Sequence, residues 1–408
     1  MISIFISINF YLYASGQITP EMLEGTTFEK LINLSQNQKT AFKIHDKVYG
    51  VLGYGNTYMV ITKKGNVIID TSFDWNAQQH KTILKNIDKG NIKYIILTHA
   101  HSDHIGGISL WKEVDTQIIQ QKEAVEFMNW KARMMGKGNY SATIPATILF
   151  NDKYVFELGG VRFELYHTPG ETYDHITIWI PDYKIAFSGD NFYRYLFPNL
   201  YTLRGTKPRW ALDYVNSLNK IIELKPEILV PGHGMPVYSN ELITGLLTKY
   251  RDIISYIHDE TVKGIVEGKN KYSLMREITL PPNLDFPENF GRIDWSVRGI
   301  YEGYMGFFDG EVTDLFPVPV SEIYPEMVKL AGGIDVIVNK VKVLIDKDKL
   351  IEGLHLINMA LSENSNHRTT LEIKLMILEK LFKKHQNPFM QVYINKEISE
   401  IKDRLTKK

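Results

Sequence analysis

The feature that most constrains this chain is a short polar string, Thr98-His99-Ala100-His101-Ser102-Asp103-His104-Ile105-Gly106-Gly107, directly after the apolar run Tyr94–Leu97. Three of the chain's 12 histidines fall within it, together with an aspartate and a glycine pair. A short apolar run bounded by polar and glycine positions reads as a buried strand. The loop leaving such a strand end can turn alternate side chains toward one point. His99 and His101 then face one metal ion, while Asp103 and His104, on the next turn, face a second. Imidazole and carboxylate ligands suit zinc, and an open coordination position lets such an ion activate water. A lone histidine in a polar loop is usually satisfied by hydrogen bonds; the whole string is what points to metal.

Composition narrows the chemistry further. The chain has no cysteine, which excludes disulfides, cysteine–zinc modules, iron–sulfur clusters and a thiol nucleophile. Any metal must be held by His, Asp and Glu. Lys plus Arg and Asp plus Glu both total 47, so the net charge is zero, which argues against a nucleic-acid or other polyanion binder. With 44% apolar and 23% charged residues the composition is that of a globular protein, and 408 residues suffice for two or three domains. Beyond the N-terminus no run approaches the ~20 apolar residues of a membrane span. The stretch Ile2–Tyr13, followed by Ala14-Ser15-Gly16, is too short to span and lacks the usual basic residues ahead of it. It reads either as a secretion signal or as a plain N-terminal segment, so a periplasmic or secreted location and a cytoplasmic one both stay open.

From Val48 to about Val237 the pattern alternates strands, turns and helices. Strands are expected at Val67–Asp70, Tyr94–Leu97, Gln117–Ile119, Arg162–Tyr166, Ile176–Ile180, Lys184–Phe187 and Ile228–Val230. Helices are expected at Asn76–Ile87 and Trp210–Leu224, the latter ended by Lys225-Pro226. Lys249–Gly264 reads as a further helix and the proline-bearing Thr279–Asn289 as a loop. From Tyr324 the chain is rich in Leu, Ile, Lys and Glu at helical spacing. Gly353–Ser362 and Thr370–His385 suggest an antiparallel helix pair of tetratricopeptide-like texture without a clean period, and Glu397–Lys408 a charged helix end.

The histidine string resembles the HxHxDH signature of the metallo-β-lactamase superfamily. The resemblance continues in order through Gly53–Thr57 and Val67–Asp70 as opening strands, His167-Thr168-Pro169-Gly170 as the third-ligand loop, Ser188-Gly189-Asp190 as the strand end with the bridging carboxylate, and Pro231-Gly232-His233 as the last ligand loop. A narrower resemblance is to the alkylsulfatase branch. It rests on Asn199-Leu200-Tyr201-Thr202-Leu203-Arg204-Gly205, Arg298-Gly299-Ile300-Tyr301-Glu302-Gly303-Tyr304, Phe307-Phe308-Asp309-Gly310 and Ala331-Gly332-Gly333. The resemblance does not extend to the sterol-carrier-like C-terminal domain that members of that branch often carry.

This resemblance implies an αββα metallo-β-lactamase sandwich followed by an all-α helical dimerisation domain. The expected organisation is a signal or N-terminal segment over 1–20, the catalytic domain over 21–262 and the helical domain over 263–408. It implies two zinc ions per chain: one held by Asp103, His104 and His233, the other by His99, His101 and Glu171, with Asp190 shared. Glu171 stands where most of the superfamily has histidine, nineteen residues before Asp190 as in the alkylsulfatase branch; His175 is the rival third ligand. Asp190 departs from the branch, which usually has Glu there, and agrees with the wider superfamily. Asp103 and His175 are the implied catalytic residues, with His175 as a candidate proton donor. Arg204, Asn199, Thr202 and Tyr201 are implied to bind substrate, Arg204 by pairing with a tetrahedral oxyanion. Phe192, Tyr193, Tyr195, Phe197 and Tyr201 either line an apolar pocket for the organic group or are core or subunit contacts.

The expected function is hydrolysis of a small-molecule sulfate ester, anionic with an apolar group, by a metal-activated water in a homodimer with no membrane span. The alternatives are the same metal site acting on a lactone, β-lactam, thioester or phosphoester, or a helical-repeat interaction protein with a vestigial hydrolase domain. Iron or manganese are alternative metals, because carboxylates tolerate harder ions.

Overall fold

The structure, a computed structural model, describes residues 38–135, 145–200, 207–308, 310–385 and 387–406. The N-terminal segment expected over 1–20 and Asp309 lie outside them. The chain divides into two compact units: residues up to 287 with 291–304, and residues 288–290 with 305–408.

The first unit contains two mixed sheets. One runs, in order, β1 (Phe42–His45), β2 (Val48–Val51), β3 (Thr57–Thr62), β4 (Gly65–Ile69), β5 (Ile92–Ile96), β6 (Gln117–Gln121) and β7 (Ile148–Phe150). The first four strands are antiparallel and the last four parallel. Parallel strands need crossovers, here α1 (Asp74–Ile87), the short α2 (Ser102–Ile105) and α3 (Ile108–Trp111), and α4 (Glu123–Met135). The other sheet contains β8 (Lys153–Leu158), β9 (Val161–His167), β10 (Ile176–Ile180), β11 (Ile185–Gly189), β12 (Ile228–Pro231) and β13 (Val237–Tyr238), in reverse order across the sheet. Only β11 and β12 are parallel there.

Strand parity explains the apolar runs. Val67 and Ile69 point into the core between the sheets, where they meet Phe163, Leu165, Ile178 and Phe187, whereas Ile68 points outward to Ile83 and Leu84 of α1. Ile96 and Ile119 repeat the inward pattern, and Ile95 and Ile118 the outward one. Burial on both faces makes these strands continuous apolar runs rather than alternating ones. On the far side, Ala186 and Leu229 pack against Tyr214, Leu218 and Ile221 of α5 (Ala211–Glu223) and Leu247, Ile253 and Ile257 of α6 (Asn240–Val266). The layers are helix, sheet, sheet, helix, as expected. Strands such as β8, whose residues alternate between exposed and half-buried, carry no such run and were not legible.

The first unit extends beyond the boundary expected at 262/263. Leu274 of α7 (Lys271–Glu277) and Val297, Ile300 and Tyr301 of α8 (Ile293–Met305) share the core of α5 and α6. That burial keeps these helices with the sheets.

The second unit is helical, with α9 (Tyr324–Leu330), α10 (Ile334–Asp346), α11 (Leu350–Glu363), α12 (Arg368–Lys384) and α13 (Pro388–Thr406). Ile357, Met359 and Leu361 of α11 and Leu371, Ile373 and Leu378 of α12 are buried in this unit's own core, and Leu354 and Leu375 pack against it half-buried. The most exposed apolar side chains of this unit include Phe307 (74%), Phe316 (64%) and Leu330 (88%), and α11 and α12 also leave Ile351 and Met376 exposed. Among the described residues no helix is long and apolar enough to cross a membrane.

His80, on α1, is fully buried with Nδ1 2.9 Å from the Thr57 hydroxyl, and burial lowers its pKa to about 4. The unfolded chain, with an ordinary value near 6.5, therefore binds the proton that the folded state refuses. The associated stability is present above that value and is lost as pH falls toward 4, a difference of about 3 kcal/mol. In chelator-treated protein, urea denaturation across pH 4–7 should show His80→Gln with a correspondingly flatter pH profile than the parent. Parallel profiles would refute this account of His80.

Candidate metal centre

The site forms where strand ends of both sheets meet. Parallel pairing sets the ends of β4 and β5 side by side, and those of β11 and β12. Asp70 follows β4; His99, His101, Asp103 and His104 follow β5; Glu171 and His175 lie between β9 and β10; Asp190 follows β11 and His233 follows β12. All except His101 are buried.

Ligand atoms of Asp103, His104, Asp190 and His233 lie within 4.8 Å of one another, as do those of His99, His101 and Asp190. Asp190 belongs to both groups. Its Oδ2 is 3.1 Å from His233 Nε2, 3.3 Å from His104 Nε2 and 3.6 Å from His99 Nε2. Asp103 Oδ2 is 3.4 Å from both His104 Nε2 and His233 Nε2. Glu171 lies at the rim of the second group, with Oε1 3.7 Å from His101 Nδ1.

This donor set fits a pair of zinc-type cations. His104 Nε2 and Asp190 Oδ1 are buried without hydrogen-bond partners, and buried imidazoles and carboxylates converge on one region, an arrangement that a bound cation stabilises. Burial holds His99 well below its ordinary pKa and His101 at about 3, so both offer the neutral imidazole that a metal requires. Burial also acts to lower His104 and His233, but the carboxylates beside them, Asp190 foremost, raise both. Conversely, burial pushes Asp103 and Asp190 up, and the imidazoles of His104 and His233 bring both below the ordinary carboxylate range.

Outer contacts fix these groups. Asp70, with φ of +54°, accepts from the Thr98 N–H (2.8 Å) and hydroxyl (2.7 Å) and from His104 Nδ1 (2.8 Å). That bond presents His104 Nε2 to the site. The Asp190 N–H donates to His175 Nε2 at 3.0 Å, and the Tyr193 hydroxyl donates to Asp190 Oδ2 at 2.7 Å. Gly232 allows a close approach: a Cβ there would lie 2.1 Å from Asp190 Oδ1 and 2.9 Å from the His104 ring.

A shallow cleft opens beside His101 and Glu171. Phe127, Tyr173 and Trp210 supply aromatic surface, and Lys207 and Arg209 supply cations.

Comparison with known proteins agrees with this architecture. Residues 50–233 match the metallo-beta-lactamase superfamily and residues 272–403 match the alkyl sulfatase dimerisation family. The chain thus joins a metallo-beta-lactamase superfamily domain to an alkyl sulfatase dimerisation domain. A linear primary-alkylsulfatase of Pseudomonas sp. is 29% identical over 322 residues, covering 68% of this chain and 61% of that protein. An alkyl/aryl-sulfatase of Saccharomyces cerevisiae is 25% identical over 392 residues, covering 83% and 60%. The chain therefore spans less than two thirds of these relatives' length. The solved structure of a stereoselective inverting sec-alkylsulfatase from Pseudomonas sp. shares the fold, with a TM-score of 0.81 at 20% identity, over 93% of this chain and 68% of that one.

Within this metallo-beta-lactamase domain, the geometry sorts the sequence expectations. Glu171 and His175 part company: Glu171 faces His101, whereas His175 sits behind Asp190. As a buried acceptor whose pKa burial lowers to about 3, His175 orients Asp190, and this geometry gives no support to a proton-donating role. Asn199 is buried, and its carbonyl accepts from Arg209 at 3.0 Å. Tyr201, Thr202 and Arg204 lie outside the described residues. Phe192 and Phe197 belong to the core. Asp70 and Arg209 were not singled out as site residues, since an aspartate ending a strand or an arginine in a loop carries no signal of its partner, and Tyr193, read as a pocket or core aromatic, donates instead to Asp190.

Asp70→Asn should retain the fold and lower metal affinity about 10- to 100-fold, measured by zinc competition with a chelator. Unchanged affinity would remove Asp70 from the centre.

Proposed function

We propose that the protein is a binuclear metal-dependent hydrolase of sulfate esters carrying an apolar organic group. The observation that supports this best is the cleft, where His101 and Glu171, the groups facing the metal centre, adjoin the aromatic side chains Phe127, Tyr173 and Trp210, with Lys207 and Asp213 also in its lining and Arg209 paired to Glu171. Aromatic walls beside such a centre suit an apolar organic group. The similarity to alkylsulfatases supports the same reading.

In this reading Asp103, His104 and His233 hold one ion, His99, His101 and Glu171 the other, and Asp190 is shared. When bound, the ions would supply an activated water and stabilise charge on the leaving group. Asp103, whose side chain is 12% exposed against 3% for Asp190 and 4% for Glu171, accepts a proton from water. Phe127, Tyr173 and Trp210 bind the organic group. Asn199, Tyr201, Thr202 and Arg204 bind the sulfate, with Arg204 pairing with its oxygens.

Elemental analysis should find about two zinc-type ions per chain, and the loaded protein should cleave alkyl or aryl sulfates in preference to lactones, β-lactams and neutral esters. Arg204→Ala should cost about 10²-fold or more in rate on the sulfate ester with metal content unchanged. Equal losses on charged and neutral substrates would instead favour a general hydrolase, the reading that Asp190, the wider superfamily's residue, supports.

The second unit makes the protein a homodimer in this reading. Phe307, Leu315, Phe316, Val318, Val320 and Leu330, close in sequence, are each exposed, apolar surface that a partner copy would cover. Light scattering at micromolar concentration should give about twice the 47.1 kDa chain mass. A single-chain mass would refute the dimer.

A further inference from the structure

Arg209 is buried, and its Nη1 carries two acceptors: Glu171 Oε2, in a close ion pair, and the Asn199 carbonyl at 3.0 Å. Arg209 stands just ahead of α5, whose Tyr214, Leu218 and Ile221 are locked in the core. The guanidinium is therefore mounted on a rigid element. Glu171 is fixed at its other end as well, since its N–H donates to Asn191 Oδ1 at 2.9 Å, and the Asn191 amide donates to the Thr168 carbonyl at 2.7 Å. With Oε2 taken by Arg209, only Oε1 is left to face His101 Nδ1, 3.7 Å away.

We infer that Arg209 is a positioning residue for one of the two metal positions: it holds Glu171 so that a single oxygen completes the His99/His101 position. The inference rests on the reading of Glu171 as a ligand. The other position is held from outside by the Asp70 carboxylate on His104 Nδ1, whereas Arg209 reaches the His99/His101 position through its ion pair with Glu171. Loss of Arg209 should therefore affect the two positions unequally. A free carboxylate could rotate or take a metal through both oxygens, and an outer group that fixes such a ligand typically governs 10- to 100-fold in affinity. Lysine keeps the charge but not the planar fork, so it should restore only part of the effect.

The test is titration of the chelator-treated full-length protein with Zn²⁺ against a competing chelator, and with Co²⁺ followed by its absorption bands. The parent, Arg209→Gln, Arg209→Lys and Glu171→Gln are compared, with circular dichroism reporting the fold. In Arg209→Gln one ion should bind as in the parent and the other about 10-fold or more weaker, with Arg209→Lys in between. Should the Gln variant fail to fold, the Lys variant carries the same comparison. Parent-like binding of both ions in the Arg209 variants, beside loss of one in Glu171→Gln, overturns this inference and leaves Glu171 as a ligand. Parent-like binding in Glu171→Gln removes Glu171 from the ligands and this inference with it. Equal weakening of both ions in the Arg209 variants marks a general loosening of the pocket and also overturns it.

Discussion

Oδ2 of Asp190 lies within 3.6 Å of three imidazole nitrogens, two following a strand of one sheet and one following a strand of the other. This convergence makes the site a property of the sandwich rather than of either sheet. It requires the strand ends to be held in register across the gap. The Asn56 N–H donates to the Gly232 carbonyl at 2.9 Å, and the Thr71 N–H to the His104 carbonyl at 2.7 Å. These bonds stitch the loops together on the side where the ligands emerge. The missing side chain of Gly232 then lets Asp190 and His104 approach.

Such a cluster is unfavourable by itself. Buried carboxylates and imidazoles must be paired, hydrogen-bonded or bound to a cation. Here some of the demand is met by fixed donors, the Tyr193 hydroxyl to Asp190 and the Arg209 guanidinium to Glu171. A bound cation would meet the rest, which would couple metal binding to the order of this rim. The outer groups serve that coupling by fixing tautomer and direction before an ion arrives. Asp70 does so for His104, and His175 does so for the backbone of Asp190.

The two units divide the physical work. The first encloses a core on three levels and presents its chemistry at one strand-end edge, beside a cleft that joins aromatic and cationic side chains. The second closes a helical core of its own yet leaves Phe307, Phe316 and Leu330 in water. Apolar density in a helix is therefore a poor guide to its exposure. The densest stretches, in α11 and α12, are mostly buried in this unit's core, and Phe307 and Phe316, among the exposed residues, lie outside its helices.

The sequence by itself determined the strand runs and the order of ligand motifs. Val67–Ile69, Tyr94–Leu97 and Ile176–Ile180 are legible because both faces of these strands are buried, which demands unbroken apolar residues. The histidine string is legible because its members are neighbours in the chain. Tertiary structure alone decided what joins residues far apart. Asp70 meets His104 across 34 positions and Arg209 meets Glu171 across 38, and no local pattern encodes either pair. It also decided that His175 stands behind Asp190 while Glu171 faces His101, and that α7 and most of α8 belong with the sheets. Each of these depends on where packing sets a backbone, and composition and spacing do not specify that.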